Sequence, residues 1–266
     1  PPFVLKADGP AAGKGVLIVD NEEEAIKNLE DMLLNSKFGK SSEKVVIEEF
    51  LDGIEMSCFV LFDGLNYKIL PYAKDYKRIG EGDKGLNTGG MGAVSPVDFL
   101  DEKLKNKINK EIIQPTINGL INEKINYVGF IFIGLINVGG QPKVIEYNVR
   151  MGDPETQPIL FRLKSNLFNI LMAAESGNLS NIKAEWDDGY SITIVMAAHN
   201  YPNKPRIDDQ INNIDSSFND CYTFHAGTKK IGNKIFTSGG RVLGITARAK
   251  SLESCDSKII SSYRKR

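Results

Sequence analysis

The sequence predicts an α+β protein whose strands pair mainly antiparallel. Short apolar runs are separated by tight glycine turns, as at Asp63-Gly64 and Gly139-Gly140, a spacing that is typical of β-hairpins. The helical stretches are interspersed among these runs without the strict strand–helix–strand alternation of a parallel sheet. We therefore expect antiparallel sheets crossed by helices rather than a doubly wound parallel sheet.

The first stretch, residues 3–19, predicts a strand, a loop and a second strand. Residues 3–6 and 16–19 are short and apolar, and the run between them, KADGPAAGKG, is rich in glycine. This run is one residue too short for a phosphate-binding P-loop and has Gly15 where that loop needs Ser or Thr. A P-loop also needs a helix directly after it, because the helix N-terminus supplies the anion site. We therefore interpret the run as a loop of hairpin type and not as a damaged P-loop.

The remaining elements of the first half follow from apolar periodicity and turn residues. The predicted elements are helices at residues 20–35 and 98–122 and strands at residues 45–51, 55–63 and 67–72. The polar, glycine-rich stretch 74–96 is predicted as a long loop, and such loops are usually functional or disordered.

The second half predicts a hairpin, a helix and a C-terminal group of strands. The predicted elements are strands at residues 128–138 and 142–149, a helix at 157–176, strands at 191–198, 221–226, 234–237 and 242–247, and a helix at 252–263. Residues 199–220 are rich in Asn, Asp and Pro and predict the main internal loop.

Composition argues against several classes of protein. The formal net charge is -1 and 41% of residues are hydrophobic, so nothing indicates a nucleic-acid partner or a membrane partner. No apolar run approaches the roughly 20 residues that cross a bilayer. The three cysteines, Cys58, Cys221 and Cys255, are odd in number and far apart, which favours a reducing compartment. We expect a cytoplasmic protein, and the start at Pro1 rather than Met leads us to expect a fragment.

The run IEYNVRMGDPETQP, residues 145–158, carries the strongest chemical signal. On a strand, Glu146, Asn148 and Arg150 point to one face about 6.6 Å apart, and the intervening residues point to the core. Carboxylate and amide oxygens suit magnesium, and a guanidinium can neutralise a transferred phosphoryl group. A solvent-facing polar strand edge would show the same alternation. The two further carboxylates in the turn that follows favour a site over such an edge.

Two other stretches carry weaker signals. In VIEEFLDGIEMS, residues 46–57, a strand end could offer backbone groups to an adenine edge and Glu55 could accept from ribose hydroxyls, although Glu48-Glu49 is also typical of a solvated strand end. Residues 77–96 hold six glycines between positive charges and a proline. This composition is compatible both with a mobile loop that approaches an anion and with a flexible surface loop.

Taken together, these stretches resemble the ATP-grasp superfamily and, within it, the glycinamide ribonucleotide synthetase (phosphoribosylamine–glycine ligase) family. The matching stretches are residues 2–9, 11–16, 48–55, 77–93, 144–157 and 238–244. Two runs, NTGGMGA at residues 87–93 and GDPETQ at 152–157, are specific to this family rather than to the superfamily.

The resemblance implies an ATP-grasp fold, in which two α+β subdomains grip ATP between antiparallel sheets, plus a small C-terminal β-rich module. We expect the lid subdomain at residues 1–72, the catalytic subdomain at 73–198 and an incomplete C-terminal module at 199–266. The family also has an N-terminal α/β domain, and we expect this missing domain of the same enzyme to be a partner of the chain.

The resemblance also implies roles for individual residues. Lys6 would reach the α/β phosphates of ATP, and a glycine lid of Gly13, Lys14 and Gly15 would close over them. The residues implied at the adenine slot are Glu48, Glu49, Phe50 and Leu51, and Glu55 would hold the ribose. Glu146 and Asn148 would bind Mg²⁺ or Mn²⁺. Arg150 and Arg78 would act on the transferred phosphate and the acceptors, and the residues implied to face the acceptor substrates are Asn87, Gly89, Gly90, Asp153, Pro154 and Glu155.

The implied reaction joins glycine to 5-phosphoribosylamine with ATP, through glycyl phosphate, in purine biosynthesis. Such a phosphoryl transfer depends on positioning and charge neutralisation more than on an acid–base pair, which agrees with two isolated histidines. Two alternatives remain open at this point. One is another ATP-grasp carboxylate–amine ligase, and the other is a truncated nucleotide-binding module without turnover.

Overall fold

The computed structural model describes residues 1–11, 15–82, 84–214 and 220–263. These residues form two compact units, Pro1–Gly53 and Ile54–Arg266. No helix of the described residues is both long and apolar enough to span a membrane.

Unit 1 is a small antiparallel sheet with one helix packed on it. Strands β1 (Phe3–Ala7), β2 (Val16–Val19) and β3 (Val45–Glu49) lie in the order β2-β1-β3, and helix α1 spans Glu22–Leu33. The predicted strand–loop–strand layout is confirmed, because β1 and β2 pair antiparallel and the Ala7 amide donates to the Gly15 carbonyl at 2.8 Å. Asn21 caps α1 by accepting from the Glu24 amide at 2.8 Å.

The core of unit 1 lies between the sheet and α1. Leu5 and Met32 are fully buried there, with Val19 and Ala25 beside them. The other face of the sheet keeps apolar side chains open, since Val16 and Ile18 are 49% and 57% exposed. This face of the sheet therefore carries exposed apolar side chains beside the Lys6–Glu48 ion pair.

The first sheet of unit 2 has four antiparallel strands in the order β5-β4-β8-β9. Its strands are β4 (Ile54–Phe62), β5 (Tyr67–Ile69), β8 (Gly129–Val138) and β9 (Gln141–Asn148). Alternate residues of β4 enter different cores: Cys58 and Val60 pack on one face, Phe59 and Leu61 on the other. Burial on both faces explains why β4 reads as a continuous apolar run. The thiol of Cys58 is part of this core, and burial raises its pKa to about 12.

Removal of a central side chain tests how far this sheet determines stability. Leu135 on β8 is fully buried, so Leu135→Ala should lower the free energy of unfolding by about 2–5 kcal/mol. The matched control is Leu65→Ala, because Leu65 lies in the turn after β4 and is 69% exposed. Urea unfolding monitored by circular dichroism gives both values, and equal losses would contradict this packing.

The second sheet of unit 2 has five strands in the order β12-β15-β10-β7-β6. Its strands are β6 (Lys74–Gly80), β7 (Lys84–Ser95), β10 (Tyr190–Ala197), β12 (Cys221–His225) and β15 (Arg241–Ala249). A three-stranded sheet is formed by β11 (Gln210–Ile211), β13 (Thr228–Ile231) and β14 (Lys234–Thr237). Helix α6 (Leu252–Tyr263) packs Cys255 and Ile259 against β15.

The predicted loop at residues 74–96 is wrong, because most of this stretch forms the hairpin of β6 and β7. The glycines that suggested a loop serve close packing within the sheet. A Cβ at Gly92 would lie 2.8 Å from the Thr193 carbonyl oxygen of β10. A glycine-rich strand of this kind permits a close approach of backbones and cannot be distinguished from a loop by composition.

Two predicted helices are also corrected. Residues 157–176 form two short helices, α4 (Thr156–Leu160) and α5 (Leu167–Glu175), because the Lys164 amide between them pairs with the Glu185 carbonyl at 2.9 Å. The helix predicted from residue 98 begins later, as α2 (Glu102–Ile108), capped by Asp101. It continues through a π-turn at Asn109–Ile113 into α3 (Gln114–Asn122), and Pro115, which has no amide hydrogen, lies just after the π-turn.

The sheets cross the predicted subdomain boundaries. β4 lies before residue 73 but pairs with β8, and β10 lies before residue 199 but pairs with β15. The division of the chain by function therefore stays a prediction, while the compact units divide after Gly53.

Candidate active site

One row of residues across the first sheet of unit 2 builds the centre of the site. Ala73 bridges to Ser57, Ser57 lies opposite Gly134, and Gly134 lies opposite Glu146. Gly134 has no side chain, and a Cβ there would lie 3.0 Å from the Glu146 Cγ. The glycine thus leaves room for the Glu146 carboxylate to lie over the strand beside it.

Glu146 and Asn148 share this face of β9, as the alternation predicted. Their partners on β8 are Gly134 and Phe132, two residues apart. The rest of the predicted pattern is wrong. A β-bulge interrupts the pairing at Ile145, and Tyr147, predicted in the core, is 49% exposed.

Arg150 does not belong to the strand, because β9 ends at Asn148. Its Nη1 donates to the Met151 carbonyl at 2.9 Å, next in the chain. Val149, also predicted in the core, is 73% exposed. Arg150 therefore lies on the exposed segment that leads from the β9 carboxylate to the GDPETQ turn.

Charged groups from β4 and β6 gather on the same side. The Ser57–Ala73 bridge is antiparallel, so Asp75 on β6 comes beside Glu55 on β4. The Lys77 ammonium forms an ion pair with the Glu55 carboxylate at 2.9 Å. Glu55, predicted to hold a ribose, is thus paired with a lysine in this structure.

The pKa shifts show that these groups act on one another. Burial raises the pKa of Asp75, and the Glu55 and Glu146 carboxylates add to this, while Lys77 opposes it. Burial alone would lower the pKa of Lys77, but Asp75, Glu55 and Glu146 outweigh it and raise that pKa. One ammonium therefore interacts with three carboxylates and stays protonated.

Glu155 is the most buried carboxyl group of the site, at 4% exposure. Its Oε1 accepts from the Ser57 hydroxyl at 2.8 Å. Burial first, and then the Asp75 carboxylate, raise the pKa of Glu155, and the Ser57 hydrogen bond and Lys77 reverse this only in part. The predicted acceptor-site carboxylate thus joins the group around Lys77.

The shift predicts a pH-dependent gain in stability for Glu155→Gln. At pH 4, below the ordinary glutamate pKa of 4.5, Glu155 is mostly protonated in both the folded and the unfolded chain, so the substitution should change little. As pH rises from there to the raised pKa of the folded chain, the unfolded chain releases this proton while the folded chain keeps it, and stability is lost over this range. Glu155→Gln should therefore raise the thermal midpoint of the ligand-free chain by a few degrees at pH 8.

The exposed Glu123→Gln is the control and should show no difference between the two pH values. Calorimetric scans at pH 4 and pH 8 measure the effect. If the thermal midpoint of Glu155→Gln falls below that of the wild type at pH 8, the surrounding groups stabilise the ionised Glu155 carboxylate, which would contradict the prediction.

A second group of residues joins a bulge in β7 to the GDPETQ turn. The bulge is the part of β7 between Asn87 and Gly92, where the pairing with β6 shifts register. Arg241 Nη1 donates to the Gly89 carbonyl at 2.7 Å and to the Asp153 carbonyl at 3.0 Å. Its Nη2 donates to Asp153 Oδ2 at 2.8 Å. A Cβ at Gly90 would lie 2.5 Å from Pro154 Cδ, so the bulge touches the GDPETQ turn directly. Four predicted acceptor residues therefore lie together.

Arg78 and Asn87 lie near the closing turn of the β6–β7 hairpin, where they are cross-strand partners. Arg78 Nη1 donates to the Gly85 carbonyl at 2.9 Å, within the hairpin itself. Both side chains are exposed. Their predicted role toward the acceptors therefore stays a prediction.

The nucleotide residues predicted in unit 1 lie on β1 and at the end of β3. Lys6 forms an ion pair with Glu48 at 2.5 Å, and the Lys6 side chain is 19% exposed. Glu49 ends β3, and Phe50 and Leu51 follow it, both partly buried.

The predicted glycine lid is described only in part. Gly15 is buried at the start of β2, where a Cβ would lie 2.7 Å from the Ala11 Cβ. Gly13 and Lys14 lie outside the described residues.

Comparison with known proteins decides the family. A family model described as phosphoribosylglycinamide synthetase, ATP-grasp (A) domain, matches residues 1–156. The chain belongs to the phosphoribosylglycinamide synthetase family. The C-domain model of the same family matches residues 191–265.

Relatives of this family cover nearly all of the chain. The phosphoribosylamine–glycine ligase of Haemophilus influenzae is 45% identical over 261 residues, which are 97% of this chain and 61% of that protein. The crystal structure of phosphoribosylamine–glycine ligase from Thermotoga maritima matches with a TM-score of 0.90 at 36% identity, over 98% of this chain and 65% of that one. The chain thus spans about three fifths of the length of its curated relative.

A more distant structure shows the fold alone. The biotin carboxylase domain of Hydrogenobacter thermophilus 2-oxoglutarate carboxylase, in complex with MgADP, matches with a TM-score of 0.72 at 19% identity, over 98% of this chain and 56% of that one. The predicted ATP-grasp fold with a C-terminal module is therefore confirmed for this phosphoribosylglycinamide synthetase chain.

Sequence reasoning missed four residues that the structure places at these turns and carboxylates: Ser57, Asp75, Lys77 and Arg241. No sequence signal marked Ser57, which lies in an apolar strand, or Asp75, which lies in a stretch interpreted as a loop. Lys77 and Arg241 lie inside stretches that match the family. For Arg241 the available signal was an arginine directly after two glycines, Gly239-Gly240.

Proposed function

We propose that the protein carrying this chain ligates glycine to 5-phosphoribosylamine at the expense of ATP, through a glycyl phosphate intermediate. The observation that carries the proposal is the row Ser57–Gly134–Glu146, which brings oxygen ligands and the GDPETQ carboxylate to one face of a sheet. Membership of the phosphoribosylglycinamide synthetase family supports the choice of substrates. The family-specific GDPETQ and NTGGMGA runs weigh against another carboxylate–amine ligase.

The residues present fit a magnesium or manganese ion. Glu146 offers a carboxylate and Asn148 an amide oxygen on one face, and Gly134 leaves space above the sheet between them and Ser57. Magnesium commonly binds through one or two protein groups and takes its other ligands from phosphates and water. When bound, the ion would neutralise charge on the phosphates of ATP.

The first step of the proposed reaction is attack by a glycine carboxylate oxygen on the γ-phosphorus. An O–P bond forms to glycine, the bond from the γ-phosphorus to the bridging oxygen breaks, and ADP leaves. Lys6 would hold the α/β phosphates, and Arg150 and Arg78 would neutralise the three oxygens of the transferred group. Glu48, Glu49, Phe50 and Leu51 would line the base, partly through backbone groups.

The second step is attack by the phosphoribosylamine nitrogen on the acyl carbon. A C–N bond forms, the C–O bond to phosphate breaks, and the nitrogen loses a proton. We assign the β7 bulge at Gly89-Gly90 and the turn of Asp153–Glu155, with Asn87, to holding these acceptors, because hydrogen bonds to Arg241 tie the bulge to the turn. Positioning of two reactants supplies much of the rate in such a transfer.

The proposal assigns a reducing, cytoplasmic compartment. The described free cysteines, Cys58, Cys221 and Cys255, are all buried thiols, which agrees with such an environment.

The proposal also assigns residues that respond to the nucleotide. Gly13, Lys14 and Gly15 would close over the phosphates. Glu55 would exchange its Lys77 partner for ribose hydroxyls on nucleotide binding.

The test is ADP formation by the full-length protein with each substrate omitted in turn. We expect ADP only when ATP, glycine and phosphoribosylamine are all present, and glycinamide ribonucleotide as the product. Brisk turnover with another carboxylate in place of glycine would overturn the assignment. Binding of Mg-ATP without ADP release under complete conditions would support a nucleotide-binding module instead.

A further inference from the structure

We propose that Arg241 is a positioning residue of the acceptor site. Its guanidinium holds the β7 bulge at Gly89 and Gly90 in place against the turn that begins at Asp153. This inference rests on the proposed function, because it is the proposed ligation that gives the bulge and the turn a substrate to hold.

The geometry of the contact is that of a fork. Nη1 donates to two carbonyl oxygens, at 2.7 Å to Gly89 and 3.0 Å to Asp153, and Nη2 donates to the Asp153 carboxylate at 2.8 Å. The Arg241 side chain is only 24% exposed. A planar guanidinium can serve three acceptors at fixed angles, whereas a lysine ammonium acts as a single point charge.

The two glycines make this contact possible. A Cβ at Gly89 would lie 3.1 Å from the guanidinium carbon of Arg241. A Cβ at Gly90, whose φ is +111°, would lie 2.5 Å from Pro154 Cδ. The backbone of the β7 bulge therefore packs against the guanidinium and the proline ring, so a change in the position of Arg241 must move the bulge itself.

A second contact from the same part of the chain completes the hold on Gly89. The Gly89 amide donates to the Tyr201 hydroxyl at 3.0 Å, while its carbonyl accepts from Arg241. The Tyr201 ring lies directly on Gly240, where a Cβ would be 2.3 Å from the ring. Tyr201 and Arg241 therefore hold both backbone polar groups of Gly89.

The partners belong to different parts of the family. Gly89 and Asp153 lie in the stretch matched by the ATP-grasp domain, whereas Tyr201 and Arg241 lie in the stretch matched by the C domain. The C domain therefore takes part in shaping the acceptor site, although the predicted metal ligands and phosphate-binding lysine all come from the ATP-grasp stretch.

The test compares Arg241→Lys and Arg241→Ala with wild type in the full-length protein. We expect kcat/KM for the acceptor substrates, glycine and phosphoribosylamine, to fall roughly 10- to 100-fold in both variants, since small misplacements of reactants cost about this much. The KM for ATP should stay within about twofold of wild type. The matched control is Arg206→Ala, because Arg206 forms an exposed ion pair with Asp209 at 2.8 Å in the same C-domain stretch.

Chemical rescue separates positioning from folding. Circular dichroism and thermal scans identify any variant that fails to fold, and added guanidinium should restore part of the activity of Arg241→Ala, whereas added methylammonium should not. Arg241→Lys with wild-type kcat/KM for both acceptors would overturn the inference, as would a loss confined to the KM for ATP. If wild-type protein itself makes no ADP from the complete mixture, the proposed function fails instead, so the two failures are distinguishable.

Discussion

Replacing Glu146 with alanine in the full-length protein is expected to lower ATP turnover by roughly 10³-fold, the scale of losing one preorganised electrostatic contact to a transition state. Glu146 is the carboxylate that Gly134 leaves room for, and it supplies the charged half of the proposed Glu146–Asn148 ligand pair. Without it, Asn148 would have to hold the cation with a neutral amide oxygen and the phosphates alone.

Glu146→Gln sharpens this expectation, because it keeps an oxygen of the same reach and removes the charge. Its turnover should also fall steeply and should recover in part as the Mg²⁺ concentration rises. Stability should change little. The Glu146 charge repels Asp75, whose pKa it raises, and attracts Lys77, whose pKa it also raises, so its removal changes two opposing interactions.

The control for this pair is Glu111→Gln, an exposed carboxylate on the π-turn that precedes α3. Coupled-enzyme measurement of ADP across a Mg²⁺ titration gives the rates, and a thermal scan gives the stability. Wild-type turnover in Glu146→Ala at any Mg²⁺ concentration would remove Glu146 from the proposed ligand pair.

The parts of the fold that sequence reasoning predicted are those fixed by local chemistry. The β8–β9 hairpin turns at Gly139-Gly140, and α1 is capped by Asn21, as residue type alone indicates. The shared face of Glu146 and Asn148 was predictable because they lie two residues apart on one strand, with the bulge before them rather than between them. Arg150 was not, since β9 ends first.

The parts that failed depend on neighbours distant in sequence. From the sequence alone, Gly92 is typical of a loop. In the structure β10 packs so close to it that a Cβ at Gly92 would lie 2.8 Å from the Thr193 carbonyl oxygen. Asp75 reaches the carboxylate group only because Ala73 bridges to Ser57. Arg241 meets Gly89 across 152 residues of chain, and no periodicity or spacing encodes such a contact.

Replacing Lys6 with methionine is expected to weaken Mg-ATP binding to this chain by about 10- to 100-fold, the effect of losing a charge-assisted contact to phosphate. Methionine keeps the unbranched stem of a side chain that is only 19% exposed on β1, so packing in unit 1 should persist. Affinity should fall by more than the loss of the Lys6–phosphate attraction alone would cause. The reason is that the substitution also leaves the Glu48 carboxylate, which Lys6 pairs with at 2.5 Å, uncompensated near the proposed phosphate site.

The double variant Lys6→Met/Glu48→Gln tests this reasoning, because removal of the second charge should recover part of the affinity. The matched control is Lys44→Met, since Lys44 pairs with Asp8 at 3.6 Å in the same unit and is 75% exposed. Titration calorimetry of Mg-ATP against each folded variant gives the dissociation constants. If Lys6→Met binds as tightly as Lys44→Met, the nucleotide phosphates are held elsewhere, and Lys6 does not have the proposed role.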